Sequence, residues 1–122
     1  MFRIGVDLIE ISRVKAALER HGQRFLDRCF TPAEQAHCEG APHRLAARFA
    51  AKEAVGKALG TGIGAVKWVE IEINSDPQGR PTLYLHGDAA RIAAELAIRA
   101  WEVSLSHSAE MAIAFVVGWG GS

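Results

Sequence analysis

The 122-residue chain lacks any excess of charge: 14 Lys and Arg balance 14 Asp and Glu. Nucleic-acid-binding domains carry a basic surplus, so bulk electrostatics does not support that class. Cysteine is scarce. Cys29 and Cys38 match neither a zinc pattern nor a CxxC redox motif, and both are expected as free thiols inside helices. No window approaches the ~18 apolar residues of a spanning helix. Arg3 interrupts the start of the chain before the apolar core of a signal peptide can form. The expectation is a soluble, cytoplasmic protein with no membrane role. Internal repeats, a Walker loop, a GxGxxG fingerprint and a GxSxG elbow are also absent. With 49% hydrophobic and 23% charged residues, the chain is expected to fold as one domain over 1–122.

The neutrality hides an asymmetry. Residues 1–61 carry 10 basic against 7 acidic groups, and residues 62–122 carry 4 against 7. Arg13, Lys15, Arg20, Arg24 and Arg28 cluster early. They read either as a solvated helix surface or as a face for one acidic partner.

Alternation from Phe2 to Ile9 predicts a strand with Ile4, Val6 and Leu8 on one face and Gly5, Asp7 and Ile9 on the other. Ser12 is expected to cap a helix from Arg13 to His21, stopped by Gly22. Another short helix follows over 23–30. Thr31-Pro32-Ala33-Glu34 is a capping box with proline at the first helical position, opening a helix that ends near Gly40. An Ala-rich helix from Arg44 to Leu59 is expected to be central and closely packed on the sheet. Gly60-Thr61-Gly62-Ile63-Gly64 then offers a turn whose backbone N–H groups can face an anion. Strands are expected over 68–74, 82–86, 101–106 and 111–117, with a hairpin turn at 76–79 and a helix from an Asp88 cap to Arg99. Gly118 to Ser122 reads as a fraying tail. The order predicts an α+β fold: a mostly antiparallel sheet with helices packed on one face.

Three places stand out chemically. Glu53 and Lys57 lie four apart on one face of the Ala-rich helix. Alone they make an ordinary helix ion pair, but Arg48 precedes them by five residues and the glycine turn follows at once. Asp7 is a carboxylate in an otherwise apolar run, which is unusual unless it is paired or coordinates a cation. Asp7 and Glu53 together would offer two oxygen ligands suited to Mg²⁺. His107, between Ser106 and Ser108 at a strand end, can donate to a phosphate, act as a base, or bond its own turn.

The run from Phe49 to Gly64 resembles the signature of the holo-[acyl-carrier-protein] synthases, the small bacterial 4′-phosphopantetheinyl transferases. Ile4 to Arg13, Phe30 to Glu34, Gly79-Arg80-Pro81 and Ser104 to Ser108 resemble their other motifs, in order, across essentially the whole chain. The resemblance implies the 4′-phosphopantetheinyl transferase fold. It implies magnesium-dependent transfer of 4′-phosphopantetheine from coenzyme A to a serine of apo-acyl carrier protein, releasing 3′,5′-ADP, in support of fatty acid biosynthesis.

It also implies residue roles. Asp7 and Glu53 match the metal ligands, and Lys57 matches a lysine near the reacting phosphate. Arg48 and His107 match coenzyme A phosphate contacts, to which Gly62, Gly64 and Ser108 are added. Arg13 matches a carrier-docking arginine, with Arg20 and Arg24 beside it. Glu53 is the base candidate, directly or through a metal-bound water. A homotrimer with each active site between two subunits is implied as well. Gly40 to His43 is short where some members carry a longer basic stretch. Gly56 sits inside a helix at a cost of roughly 0.8–1 kcal/mol against alanine, which calls for a close neighbour such as coenzyme A or another helix.

Overall fold

The computed structural model describes residues 1–120. Strand β1 (Phe2–Glu10) leads into helices α1 (Ile11–His21), α2 (Gln23–Cys29), α3 (Pro32–Cys38) and α4 (Pro42–Leu59). A single 3₁₀ turn (Trp68–Glu70) precedes the hairpin of β2 (Ile71–Ser75) and β3 (Pro81–Leu85). Helix α5 (Gly87–Glu95) and the hairpin of β4 (Ala100–His107) and β5 (Met111–Trp119) complete the chain. The fold is α+β and its strand pairs are antiparallel, as expected. The single sheet of the sequence reading is instead two sheets, one ordered β1-β5-β4 and the other the β2-β3 hairpin.

Helix α4 is the axis of the molecule. Ala46, Ala47, Ala50, Ala51, Ala54 and Ala58 are all buried, so the helix backbone approaches the β1-β5-β4 sheet closely. The contact is tightest at Gly5, where any Cβ would overlap the Ala54 carbonyl. This approach selects the inward face of β1. Gly5 and Ile9 are buried and Asp7 is half-buried beneath α4, whereas Ile4, Val6 and Leu8 are 59%, 47% and 58% exposed. The alternation of β1 is as expected, but its apolar row faces outward.

Several element boundaries differ for identifiable reasons. Ser12 does not cap α1. The helix starts at Ile11 without a side-chain cap, and the Ile11 amide donates to Glu110 O at 2.9 Å. Helix α4 begins at Pro42, two residues before the expected Arg44, with proline in its first turn. Residues 68–70 coil because Glu70 reaches out of the run: its carboxylate accepts from the Lys67 and Asp88 amides, each at 2.7 Å. The second bond also makes Glu70 a cap of α5. Asp88 therefore lies inside the first turn, and the helix ends at Glu95 rather than Arg99. Gly118 and Trp119 do not fray but pair with Arg3 and Phe2 in the sheet. The tail expectation for Gly121 and Ser122 lies outside the described residues.

Other expectations hold. Thr31 and Glu34 form the reciprocal capping box of α3. Cys29 and Cys38 are free and buried, and burial pushes both thiols up from their ordinary pKa. Gly56 does have a close neighbour, but it is neither ligand nor helix. It is the Gly62 backbone, which a Cβ at position 56 would meet at 3.0 Å.

Candidate active site

Two adjacent rows of side chains run along α4 at four-residue spacing. Phe49, Glu53 and Lys57 form one row; Arg48, Lys52 and Gly56 form the other. The first row holds the chemistry expected from the sequence. Lys57 Nζ donates to Asp7 Oδ1 and to the Val6 carbonyl, each at 3.0 Å, joining residues 50 positions apart. Glu53 is held above the ordinary carboxylate pKa by burial and by the Asp7 charge, with Lys57 opposing both. Asp7 is thus tied to Lys57, and its charge is felt by Glu53 one turn earlier in the same row, at a half-buried site on the β1–α4 contact.

The other expected residues surround this centre without touching it. Arg48 is 4% exposed. Its guanidinium donates to the Ile73 carbonyl at 3.2 Å, the Arg44 carbonyl at 3.4 Å and Ser75 Oγ at 3.3 Å. Two of the five N–H groups of a guanidinium remain for a ligand. His107 lies beside His43, with ring centroids 4.9 Å apart, near the N-terminal end of α4. Ten residues separate His43 from Glu53, or about 15 Å along the helix. Ser108 Oγ accepts from the Glu110 and Met111 amides and so shapes the β4–β5 turn.

The expected backbone cradle at 60–64 differs from the structure. The Thr61 and Gly62 amides donate to Gly56 O, and the Gly64 amide donates to Val66 O. The first two N–H groups close the turn onto α4, and the third bonds within the loop. What the glycines leave is open space: a Cβ at Gly62 or Gly64 would meet nothing within 4 Å.

On the basic side, Arg24 joins His21, Phe25 and Arg28 around a concavity of α1 and α2. Arg13 borders an adjoining apolar groove with Ile9, Phe25 and Phe49. Arg20 lies on α1 and lines neither. Aromatic contacts continue this surface inward: Phe25 packs near Phe49, which stacks on Trp68 at 4.4 Å. Phe25, Phe49 and Trp68 were not read as site residues from the sequence. Their spread over three elements hides the row that they make.

The sequence reading also missed a fully buried pair. Lys52 and Glu34 are both 0% exposed and bridge at 2.8 Å. Lys52 also donates to the Trp68 carbonyl at 3.0 Å and to the Ile71 carbonyl. Glu34 Oε1 accepts the Thr31 amide and Oε2 the Ile73 amide, each at 2.8 Å. Burial pulls the Lys52 pKa down, and Glu34 counters it. No local signal marks Lys52: beside Glu53 in the sequence it reads as a surface lysine.

An α+β chain with a carboxylate–lysine cluster beside a glycine turn, and a basic aromatic surface next to it, matches one known family pattern. Residues 3–116 fit the pattern described as the 4′-phosphopantetheinyl transferase superfamily, and the chain belongs to that superfamily. Within it, the resemblance is to the holo-[acyl-carrier-protein] synthases, and the chain is an enzyme of that kind. It is 54% identical to the holo-[acyl-carrier-protein] synthase of Herpetosiphon aurantiacus, over 98% of this chain and 100% of that one. Identity to the Chloroflexus aggregans synthase is 50%, over 94% and 93% of the two chains. The crystal structure of the Helicobacter pylori synthase in complex with coenzyme A superposes with a TM-score of 0.87 at 33% identity, covering 95% of this chain and 99% of that one.

Proposed function

We propose that this enzyme transfers 4′-phosphopantetheine from coenzyme A to a serine hydroxyl of an apo-acyl carrier protein, releasing 3′,5′-ADP. The reaction is magnesium-dependent, takes place in the cytoplasm and supplies fatty acid biosynthesis. The single observation that carries this reading is the convergence of Asp7, Glu53 and Lys57 from two distant elements onto one half-exposed site. Buried free thiols at Cys29 and Cys38 suit a reducing compartment.

Asp7 and Glu53 are the residues that would hold Mg²⁺. Their fit rests on the donor set: two carboxylates whose charges repel each other, with Lys57 bonded to Asp7 and easing the charge on Glu53. Oxygen-only donors with one or two carboxylates suit Mg²⁺, which takes its remaining ligands from water and phosphate. When bound, the ion neutralises pyrophosphate charge, the main demand of phosphoryl transfer.

The protein's own groups do the rest. Glu53 takes the proton of the serine hydroxyl, directly or through a water, as the serine oxygen bonds to the phosphorus carrying pantetheine. The bond from that phosphorus to the 3′,5′-ADP oxygen breaks, and Lys57 balances the charge left on the departing group. Arg48, Gly62, Gly64, His107 and Ser108 are assigned to coenzyme A. Arg13, Arg20 and Arg24 steer the acidic carrier protein, a role that Arg24 in the basic concavity of α1 and α2 and Arg13 at the adjoining groove support.

We also propose a homotrimer of single-domain chains with active sites between subunits. The outward row of β1, joined by Phe2, Ile113 and Phe115 at 68%, 39% and 46% exposure, supports burial against other copies.

The test is intact-mass measurement of an apo-carrier protein incubated with the enzyme, coenzyme A and Mg²⁺. A chelator-sensitive gain of one phosphopantetheine is expected, and Glu53→Gln is expected to cut the rate by about 10²–10⁴-fold. Near-wild-type turnover by that variant would remove Glu53 from the site.

A further inference from the structure

We propose that Lys52 and Glu34 are positioning residues that hold one wall of the coenzyme A cleft in place before the ligand arrives. The proposal rests on the transferase reading above and adds to it the role of the second row of α4.

The argument starts from valence. An ammonium has three donors, and Lys52 gives one each to Glu34, the Trp68 carbonyl and the Ile71 carbonyl. Glu34 is engaged as fully: Thr31 N and Lys52 meet one oxygen, and Ile73 N meets the other. The pair therefore ties four pieces of chain together: the start of α3, the middle of α4, the 3₁₀ turn and β2. One turn earlier, Arg48 takes the Ile73 carbonyl and Ser75 Oγ. One turn later, Gly56 O takes the Thr61 and Gly62 amides. The whole row fastens the segment from Thr61 to Ser75 onto α4.

That segment is one side of an open groove of about 300 Å³, walled by Gly64, Lys67, Trp68 and Val69 with Arg28 across from them. It runs directly into the glycine turn assigned to coenzyme A. Trp68, whose carbonyl Lys52 holds, stacks on Phe49 in the catalytic row. Rotation of α4 about its axis would move Glu53 and Lys57 away from Asp7, and the fastened row opposes that rotation. A burial made only for stability has a cheaper solution, since replacing a buried ion pair by apolar side chains is often neutral or stabilising. Apolar side chains cannot grip two carbonyls of an irregular turn.

The experiment uses the full-length enzyme with Lys52→Met and Glu34→Gln combined, which removes both charges and keeps an acceptor for a backbone amide. Folding is checked by thermal melting, coenzyme A binding by calorimetry, and transfer by steady-state kinetics in both substrates. The expected result is coenzyme A binding weakened about tenfold while the KM for carrier protein stays at the wild-type value. A folded double variant with wild-type coenzyme A affinity overturns the proposal. So does a uniform loss of kcat at unchanged KM values, the mark of a smaller folded fraction.

Hydrogen exchange on the wild-type enzyme decides the matter if the variant does not fold. Amides 67–73 are expected to be protected without coenzyme A, to a similar degree as those of α4. Fast exchange that slows only when coenzyme A is added overturns the preset wall. A wild-type enzyme that binds coenzyme A but transfers nothing would sink the transferase reading, while the binding and exchange results would still judge this one.

Discussion

Helix α4 carries two lysine–carboxylate pairs five residues apart, and they differ chiefly in burial. Lys52–Glu34 at 2.8 Å has both side chains at 0% exposure, whereas Lys57–Asp7 at 3.0 Å has them at 55% and 20%. The lengths are almost equal; burial separates the pairs, and with it the number of acceptors on each lysine, three for Lys52 and two for Lys57. The inner pair has no route to exchange partners, and its Coulomb attraction largely offsets the desolvation of two ions. The outer pair is wet and weakly held, which leaves Lys57 free to leave Asp7 when other charges arrive. One helix thus carries the same two functional groups once as a closed, buried pair and once as an exposed pair that can open.

The contrast breaks if the two lysines respond alike to removal. Lys52→Met alone leaves Glu34 as an uncompensated buried anion and is expected to cost about 3–5 kcal/mol. That is a large part of the stability of a small domain. Lys57→Met is expected to cost under about 1 kcal/mol. Denaturant midpoints measure both, and equal losses would show that exposure does not separate the pairs.

A smaller effect sharpens the same contrast. With Lys57 gone, the repulsion between Asp7 and Glu53 loses the cation that eases it. Divalent-cation affinity of the free enzyme is expected to rise about fivefold, the equivalent of ~1 kcal/mol. Calorimetric titration of Lys57→Met without coenzyme A reads this directly. Unchanged affinity would mean that Lys57 and the cation do not share a seat.

Legibility in the sequence followed the range of the interaction. The α3 capping box is contained in four residues, Thr31 to Glu34, and was readable. Asp7 stood out because its neighbours are apolar. Lys52 did not, because an Ala-rich helix shows little contrast between its faces, and a lysine next to Glu53 reads as surface. Alternation in β1 shows two unlike faces but not which one α4 covers; the Gly5–Ala54 contact decides that. Glu70 reaching the Asp88 amide and Glu110 O receiving the Ile11 amide are long-range caps, and no local pattern announces them. Ser12 and Asp88 were therefore plausible caps in the wrong places. The two carboxylates and the lysine of the candidate site were legible; the buried row beside them was not.

The smallest expected effect concerns a third pair, about as exposed as Lys57–Asp7. Glu72 accepts from His86 Nε2 at 2.9 Å and from Thr31 Oγ1 at 2.8 Å, with side-chain exposures of 14% for Glu72 and 53% for His86. Burial pushes the Glu72 pKa up, but the hydrogen bonds from His86 and Thr31 outweigh it and hold the carboxyl below its ordinary value. A pKa depressed in the folded state means that the unfolded chain binds the proton more readily. The stabilisation is then full above the unfolded value of about 4.3 and is lost as pH falls through the lower folded value. Thermal melts of the wild type and Glu72→Gln at about pH 6 and about pH 3 test this, with the wild-type advantage expected to shrink at the lower pH. A gap of constant size would show that the ionised carboxylate contributes nothing beyond what an amide supplies.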